Sequence, residues 1–456
     1  MSATRQLAEY VTGMEFARLP RAVVAKCKEL LLDAVACGIG GSRTPIGRIV
    51  TDFAREIGGF PDARVLGSDL RCACTAAAYA NASSINALDY DDTGRAGHPG
   101  SSIIAAALAL GEKIAADGPA LILACVAGYE TATRVARAIE PTWERYQQVH
   151  GIGTAHTFGS MAACTKLLNL NLEQTLNAFG IAGASAPVAH AGKFGWTDKS
   201  IPHVKDNVAW PAEAGLRAAW LAQKGYEGSE SILDGERGFW VMAGSDRCDF
   251  ARLTDVAAYE IVDVSLKPYP CCRWIHTTLD ALGEIQKDHS FEPADITAVN
   301  VYSNQPLADF FGKTIPRTFV DVEFSVPCAV ALKLHKVPYS QWHEPRRWQS
   351  PDILALAAKV AVHLDPSYQD LYLALDRGSS RIPSRVEITL KGGQRPSAYA
   401  DVARGSPQKP MSDAARIAKV RDLMEATVSS AILEEFIRQI EHAEGIHDIR
   451  QVLSLL

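Results

Sequence analysis

The stretch from Asn86 to Ser102 reads NALDYDDTGRAGHPGSS and places three aspartates ahead of a histidine. His98 and Pro99 then lead into an apolar helix, whose N-cap is predicted at Ser101 or Ser102. We therefore expect His98 near a helix N-terminus. Free backbone amides and the positive end of the helix dipole attract an anion there, with which a histidine could exchange protons. The alternative is that the aspartates only cap and turn the loop, and that His98 is an ordinary loop residue.

Three further segments combine ionisable side chains with glycines or helix starts. HGIGTAHTFG begins at His150 and contains a second histidine, His156. IPHVKDNVAWPAEAG contains Lys205, and KPYPCCRWIHTTLD contains Arg273 and His276. A lysine is usually solvated, and a histidine near a helix start usually takes part in structural hydrogen bonding. None of the three segments identifies a site by itself.

Composition and motif content exclude several classes of protein. The net charge of -6 comes with no basic face, so we expect no nucleic-acid partner. The N-terminal MSATRQLAEY lacks the apolar core of a signal peptide, and the apolar stretches fall far short of the ~20 residues that span a bilayer, which predicts a cytoplasmic protein without a membrane partner. Ten cysteines without zinc spacing indicate buried thiols. HExxH, P-loop and GxSxG patterns are absent.

Two kinds of pattern follow each other along the chain. The first half repeats helix-period apolar stretches, such as VVAKCKELLLDAVAC from Val23 to Cys37, which we expect to end at the glycines that follow. Strand patterns appear at Ile296–Tyr302 and Arg385–Lys391, the second as part of a hairpin, and a helix is predicted between them at Asp352–Val362. The sequence thus predicts a mainly α protein with an α+β segment over 266–404, followed by a final pair of amphipathic helices.

Six segments in order resemble the MmgE/PrpD family, which includes 2-methylcitrate dehydratases, cis-aconitate decarboxylases and iminodisuccinate epimerases. The segments are LDYDDT with HPGSS, HGIGTAHTFGSMAA, VKDNVAW before GLRAAWLA, KPYPCCRWIH with TLDA, FSVPCAVAL, and GSPQKPMS. The resemblance implies a large all-helical domain formed by residues 1–265 and 405–456, with a smaller α+β lid domain of residues 266–404 inserted between them. It also implies a homodimer, with the site in the cleft between the domains.

The resemblance also implies which residues form the site. Removing or adding a proton beside a carboxylate needs a positioned acid or base and a site that stabilises the developing negative charge. We expect His98 to transfer the proton and Asp89 to orient His98 or to act as its acid/base partner. Lys205 and His276 are expected to bind substrate carboxylates. Further residues expected to contact the substrate are Thr93, His150, Arg273 and Ser101.

The implied activity is that of a lyase acting on a small di- or tricarboxylate, without a cofactor or a metal. The main prediction is a hydro-lyase resembling 2-methylcitrate dehydratase. A decarboxylase or an epimerase could use the same groups, although Cys328 stands where we align a tyrosine of cis-aconitate decarboxylases, which argues against that reaction. Outside the family, Asp89, Asp91 and His98 would permit a metal-dependent hydrolase. Long helices would also suit a scaffold without catalysis.

Overall fold

A computed structural model describes residues 2–146, 148–150, 153–188, 190–191, 200–312, 315–374 and 381–456, with the backbone alone described at 150, 190–191 and 371–374. Over these residues the protein is mainly α-helical, as predicted. Within the same ranges no helix combines the length and the apolar character needed to cross a membrane.

The first part of the chain is built from helices with two short strand pairs. The helices are α1 (Ala3–Gly13), α2 (Arg21–Ser42), α3 (Pro45–Ile57), α4 (Cys74–Asn86), α5 (Pro99–Ile114), α6 (Gly118–Ala138), α7 (Trp143–Tyr146), α8 (His156–Leu167), α9 (Leu172–Ser185), α10 (Ala209–Gln223), α11 (Phe239–Met242) and α12 (Phe250–Thr254). The antiparallel strand pairs are β1 (Ala63–Arg64) with β2 (Arg71–Cys72), and β3 (Val149–His150) with β4 (His190–Ala191).

The second part of the chain is organised around a four-stranded sheet. Its elements are α13 (His276–Asp288), β5 (Ile296–Ser303), α14 (Phe319–Glu323), α15 (Val326–Leu334), α16 (Pro345–Trp348), α17 (Pro351–Ala357), β6 (Val360–Leu364), α18 (Pro366–Ala374), β7 (Arg381–Leu390) and β8 (Ser397–Val402). The strand order is β6-β5-β7-β8, in which β5 and β6 are parallel and the other neighbours antiparallel. The chain closes with α19 (Asp413–Met424), α20 (Ser430–Glu441) and α21 (Ile449–Leu453).

The strands predicted at Ile296–Tyr302 and Arg385–Lys391 are confirmed as β5 and β7. β7 also forms the predicted hairpin, with β8. The helix predicted over Asp352–Val362 is wrong in its second half, because α17 ends at Ala357 and Val360 begins β6. Val360 pairs with Val299 of β5. Pairing with a neighbouring strand therefore overrides the local helical period at these β-branched residues.

The end predicted for the second helix is also wrong. Instead of stopping at Cys37, α2 continues through its glycines to Ser42. A Cβ added to Gly41 would lie 1.8 Å from the carbonyl oxygen of Ser84 in α4. Glycine here lets two helices approach closely, a role that the sequence pattern of a helix end does not distinguish.

Helix α5 lies inside the helical part of the molecule. Every residue from Pro99 to Glu112 is buried, and α4, α6, α8 and α10 all pack against this helix. A helix that is apolar on all sides is stable only in such a position. Its N-terminus is therefore buried as well, together with the loop from α4 that carries the aspartates and His98.

The C-terminal helices pack on the first part of the chain. Lys419 of α19 lies with its Nζ 2.5 Å from Oδ1 of Asp33 in α2, and it donates a hydrogen bond of 2.7 Å to the backbone oxygen of Tyr90. Contacts of this kind are what a helical domain built from both chain ends would require. The domain boundaries near residues 265 and 405 stay a prediction.

Candidate active site

The loop between α4 and α5 places two aspartates on either side of the His98 ring. Asp89 Oδ1 lies 3.4 Å from Nε2, and Asp91 Oδ1 lies 3.4 Å from Nδ1. Nδ1 is also 2.9 Å from the backbone oxygen of Asp92, which can only accept a hydrogen bond. Nδ1 therefore carries a proton, and the orientation of the ring is fixed.

The start of α5 differs from the prediction. His98 itself is the N-cap, and Ser101 and Ser102 both lie within the first turn. Ser101 Oγ is 2.9 Å from Asp91 Oδ2 and 2.8 Å from the backbone oxygen of His98. A proline at the first helical position makes an earlier start possible, because it has no N–H to satisfy. Ser101 thus supports the site loop instead of capping the helix.

Asp92 ties the site loop to the neighbouring helices. The hydroxyl of Tyr129 donates to its Oδ2 over 2.6 Å, and the backbone N–H of Gly100 donates to its Oδ1 over 3.1 Å. A Cβ on Gly100 would lie 2.4 Å from the Tyr129 hydroxyl, so this arrangement requires a glycine. Burial, assisted by the Asp91 carboxylate, raises the pKa of Asp92 to about 7.

Two lysines from distant parts of the chain meet at Asp89. The distance from Asp89 Oδ1 is 3.2 Å to Lys205 Nζ and 2.8 Å to Lys267 Nζ. Lys267 also donates to the backbone oxygen of Asp89 over 2.9 Å. Asp89 has a φ of 46°, in the left-handed region that costs free energy for a residue with a side chain. The lysine contacts hold this conformation in place.

Lys205 is surrounded by carboxylates. Besides Asp89, its Nζ lies 3.2 Å from Asp206 Oδ2 and 2.7 Å from Glu323 Oε2. Burial acts to lower the pKa of Lys205, but these carboxylates raise it well above the ordinary value. Burial likewise acts to raise the pKa of Asp206, but Lys205 and His98 lower it. Both groups are therefore charged at neutral pH.

The His98 ring is held in its protonated form. Burial and the Lys267 ammonium act to lower its pKa, but Asp91 and Asp206 outweigh them and raise the pKa of His98 to about 9. Asp206 Oδ2 lies 4.0 Å from Nε2. A histidine with this pKa is an imidazolium at neutral pH, and it can act as a general acid.

His156 supports the glycine loop as a neutral group. Its Nε2 donates to the backbone oxygen of Ala96 over 2.5 Å, and its Nδ1 lies 3.0 Å from Ser102 Oγ. Burial lowers the pKa of His156 to about 4. The second histidine of its segment therefore contributes to the site by holding the loop.

Arg273 and His276, both predicted to bind substrate, contact each other. Nη1 of Arg273 lies 3.2 Å from Nδ1 of His276, whose Nε2 donates to the backbone oxygen of Cys271 over 3.1 Å. Burial, followed by the charge of Arg273, lowers the pKa of His276 well below its usual value. His276 would have to give up one of these bonds to bind a substrate carboxylate.

Thr93 and His150 are the remaining residues predicted to contact substrate. Thr93 exchanges two backbone hydrogen bonds with Ser265, of 2.9 and 2.8 Å. These bonds attach the aspartate loop to the segment that carries Lys267. The side chain of His150 lies outside the described residues.

Sequence analysis missed three charged residues at the centre of the cluster: Asp206, Lys267 and Glu323. Their segments were nevertheless visible in the sequence. Asp206 follows Lys205 in VKDNVAW, Lys267 begins KPYPCCRW, and Glu323 directly precedes FSVPCAVAL. A single buried lysine or carboxylate has no spacing signal of its own, so its presence beside a family motif was the usable clue.

Three residues of the site have the ligand types of a metal centre. One atom each from Asp89, Asp91 and His98 lie within 4.8 Å of one another, close enough to ligate one ion. The charges there do not fit a divalent cation, because Lys205 and Lys267 already contact Asp89. His98 would also have to give up its proton to bind a metal, against the carboxylates that raise its pKa.

Family models and known proteins match nearly the whole chain. Residues 5–250 match the family model of the MmgE/PrpD N-terminal domain, and residues 269–442 match that of the MmgE/PrpD C-terminal domain. The chain is 25% identical to cis-aconitate decarboxylase of Homo sapiens, with 100% of this chain and 94% of the relative covered. It is 24% identical to the cis-aconitate decarboxylase-like protein oryM of Aspergillus oryzae, with coverage of 100% and 97%. It is 23% identical to cis-aconitate decarboxylase of Aspergillus terreus, with coverage of 99% and 95%. Because the two family models together cover most of the sequence, this chain belongs to the MmgE/PrpD family.

Proposed function

We propose that this protein is a cofactor-independent lyase that acts by acid/base chemistry on a small di- or tricarboxylate. The observation that supports the proposal is the position of His98 between buried carboxylates and beside two ammonium groups. A cationic acid in a water-poor site can protonate carbon or a leaving hydroxide. The neighbouring ammonium groups would stabilise the negative charge that develops next to a substrate carboxylate.

Decarboxylation of an unsaturated tricarboxylate such as cis-aconitate is the leading reaction. Relatives that match this chain over nearly their full length are named cis-aconitate decarboxylases. In this reaction the bond between carbon and one carboxylate breaks, carbon dioxide leaves, and the electron pair that remains on carbon takes up a proton. His98 would donate that proton, while Lys205 and Lys267 would stabilise the carbanion-like species. Cys328 in place of a tyrosine argues less strongly against this reaction once His98 supplies a proton donor.

Loss of water from a hydroxy-tricarboxylate is the second candidate. Dehydration needs a base for the carbon-bound proton as well as an acid for the departing hydroxide. Asp89 Oδ2 is buried and has no hydrogen-bond partner among the described residues, so it is an available acceptor next to the acid His98. This pairing supports the reaction that the sequence favoured first.

Proton NMR in D2O separates the candidates, with EDTA-treated protein given cis-aconitate, 2-methylcitrate and citrate in turn. Release of carbon dioxide with deuterium in the product would identify decarboxylation. A vinyl signal from a hydroxy acid would identify dehydration. His98→Gln should reduce the observed rate by about 10²-fold or more if His98 is the acid. An unchanged rate in this variant, or turnover that requires added metal, would refute the proposal.

A further inference from the structure

The short helix α14 is attached to two of the segments that form the site. Asp321 Oδ1 accepts a hydrogen bond of 2.9 Å from the backbone N–H of Ile201, in the segment that leads to Lys205. The backbone oxygen of Glu323 accepts a hydrogen bond of 2.8 Å from the N–H of Cys272, in the segment KPYPCCRW. Helix α14 therefore has a fixed position relative to both lysine-bearing segments.

Glu323 points its carboxylate at Lys205. Its side chain is 0% exposed, and its Oε2 lies 2.7 Å from Lys205 Nζ, the shortest of the three carboxylate contacts of that ammonium. The ring of Phe324 lies 5.4 Å from the same Nζ. A fully buried carboxylate is costly unless a cation pairs with it. Glu323 and Lys205 are both buried, so each of them needs an opposite charge nearby, and each provides one for the other.

His343 lies on the opposite side of the Glu323 carboxylate. It is 6% exposed, and its Nε2 lies 3.4 Å from Glu323 Oε1. The ring of Phe319, in α14, packs edge-on against it at 6.3 Å. Neither ring nitrogen of His343 has a hydrogen-bond partner among the described residues, so Glu323 is its one charged contact there.

Glu323 differs from the other carboxylates around Lys205. Asp89 and Asp206 both contact His98 as well, at 3.4 and 4.0 Å. Within the described residues, Glu323 contacts Lys205 without contacting His98. A lysine side chain is a flexible four-carbon chain, so the carboxylates around it determine where its ammonium lies.

We propose that Glu323, which lies in contact with His343, is a positioning residue that fixes the Lys205 ammonium next to Asp89. The inference rests on the proposed function, because it assigns a task within the same site. Lys205 is strongly basic, so it does not pass protons between His343 and His98. Glu323 acts through its charge and its location.

A double-mutant cycle on kcat and KM tests the inference, using the substrate that the NMR panel identifies. Glu323→Gln should lower kcat by about 10-fold or more and change KM less, because the ammonium is misplaced while binding groups remain. Glu323→Asp should recover part of the loss. In a Lys205→Met background, Glu323→Gln should have no further effect. The matched control is Glu112→Gln, a buried carboxylate that pairs with Arg71 and makes no contact with Lys205 among the described residues, and its effect should be the same in both backgrounds.

A second cycle, on urea unfolding, needs no substrate. Glu323→Gln and Lys205→Met should each lower the urea midpoint, because the first removes one of the three carboxylates around the Lys205 ammonium and the second removes the cation from all three. The double variant should lose less than the sum of the two single losses, because Glu323→Gln removes one of the carboxylates that Lys205→Met leaves without a cation. Additive losses in either cycle would overturn the inference. If no substrate is turned over, the proposed function fails and the unfolding cycle alone decides: coupling supports the contact between Glu323 and Lys205, and additivity refutes it.

Discussion

Replacing Asp91 by asparagine should lower the pH at which the protein loses activity. Asp91 Oδ1 lies 3.4 Å from His98 Nδ1 and is one of the carboxylates that raise the pKa of His98 to about 9. Two opposite unit charges at this distance attract by about 5 kcal/mol at an effective dielectric constant of ~20, and by about 1 kcal/mol in bulk water. These energies correspond to a pKa shift of about 1–3 units, which is the shift that one neighbouring opposite charge usually produces. The amide oxygen of asparagine can still accept the hydrogen bond of Ser101, so the loop should keep its shape.

The assay is kcat/KM measured over about pH 6 to about 10. Activity of the unmodified protein should fall near pH 9, where His98 loses its proton, and activity of Asp91→Asn should fall about 1–3 units lower. Asp280→Asn is the control, because Asp280 is a buried carboxylate that bonds the Tyr269 hydroxyl and the Arg404 backbone N–H. An NMR titration of the His98 ring gives the same pKa without substrate. If Asp91→Asn loses activity at the same pH as the unmodified protein, either Asp91 does not set the charge of His98 or His98 is not the acid.

Four further results are expected. The raised pKa of His98 contributes stability that is complete below about pH 6.5 and is lost as the pH rises to about 9. The free energy of unfolding in urea of the unmodified protein should therefore exceed that of His98→Gln by about 3 kcal/mol less at pH 9 than at pH 6.5. A difference that does not change with pH would contradict the assigned pKa. Lys267→Met should lower the rate by about 10²-fold or more, because it removes an ammonium that contacts Asp89, and a normal rate would remove Lys267 from the mechanism. We predict a homodimer that buries the apolar face of α3 exposed at Ile49, Phe53 and Ile57, so that light scattering should find a dimer for the unmodified protein and a monomer for Phe53→Glu. A monomeric unmodified protein would contradict the dimer, and a dimeric variant would contradict the interface. Prolonged EDTA treatment should leave the rate unchanged, and a rate restored only by a divalent metal would revive the hydrolase alternative.

The sequence pattern was sufficient to predict a helix or a strand where the segment buries one face or all of its faces. The alternation in β7 and the apolar stretch of α5 each determine their element locally. The pattern failed where a distant neighbour decides the outcome. Gly41 resembles a helix stop until Ser84 is seen against it, and Val360 fits a helical period until it pairs with Val299.

The residues of the candidate site also fall into two groups, those that sequence could predict and those that only the tertiary fold brings together. His98 and the aspartates before it are near one another in sequence, so their meeting could be predicted from one motif. No spacing rule connects that motif to Lys267 or Glu323, because the tertiary fold alone brings them to Asp89 and Lys205. His276 was predicted as a carboxylate ligand from the family resemblance, but sequence cannot reveal that Arg273 and a backbone oxygen already occupy its ring nitrogens.

The contact of Lys419 with the backbone of Tyr90 has a genetic consequence. The two residues are 329 positions apart, yet the carbonyl group that Lys419 binds lies between two of the aspartates of the site loop. A premature stop codon shortly before α19 would leave all the proposed proton-transfer and charge-binding side chains encoded. It would also leave Asp33 as a buried carboxylate without its cation, and the loop without one of its donors. Late truncation alleles of this gene should therefore behave as null alleles, and proteolytic clipping near residue 405 should inactivate the purified protein even though every predicted catalytic residue lies upstream of the cut.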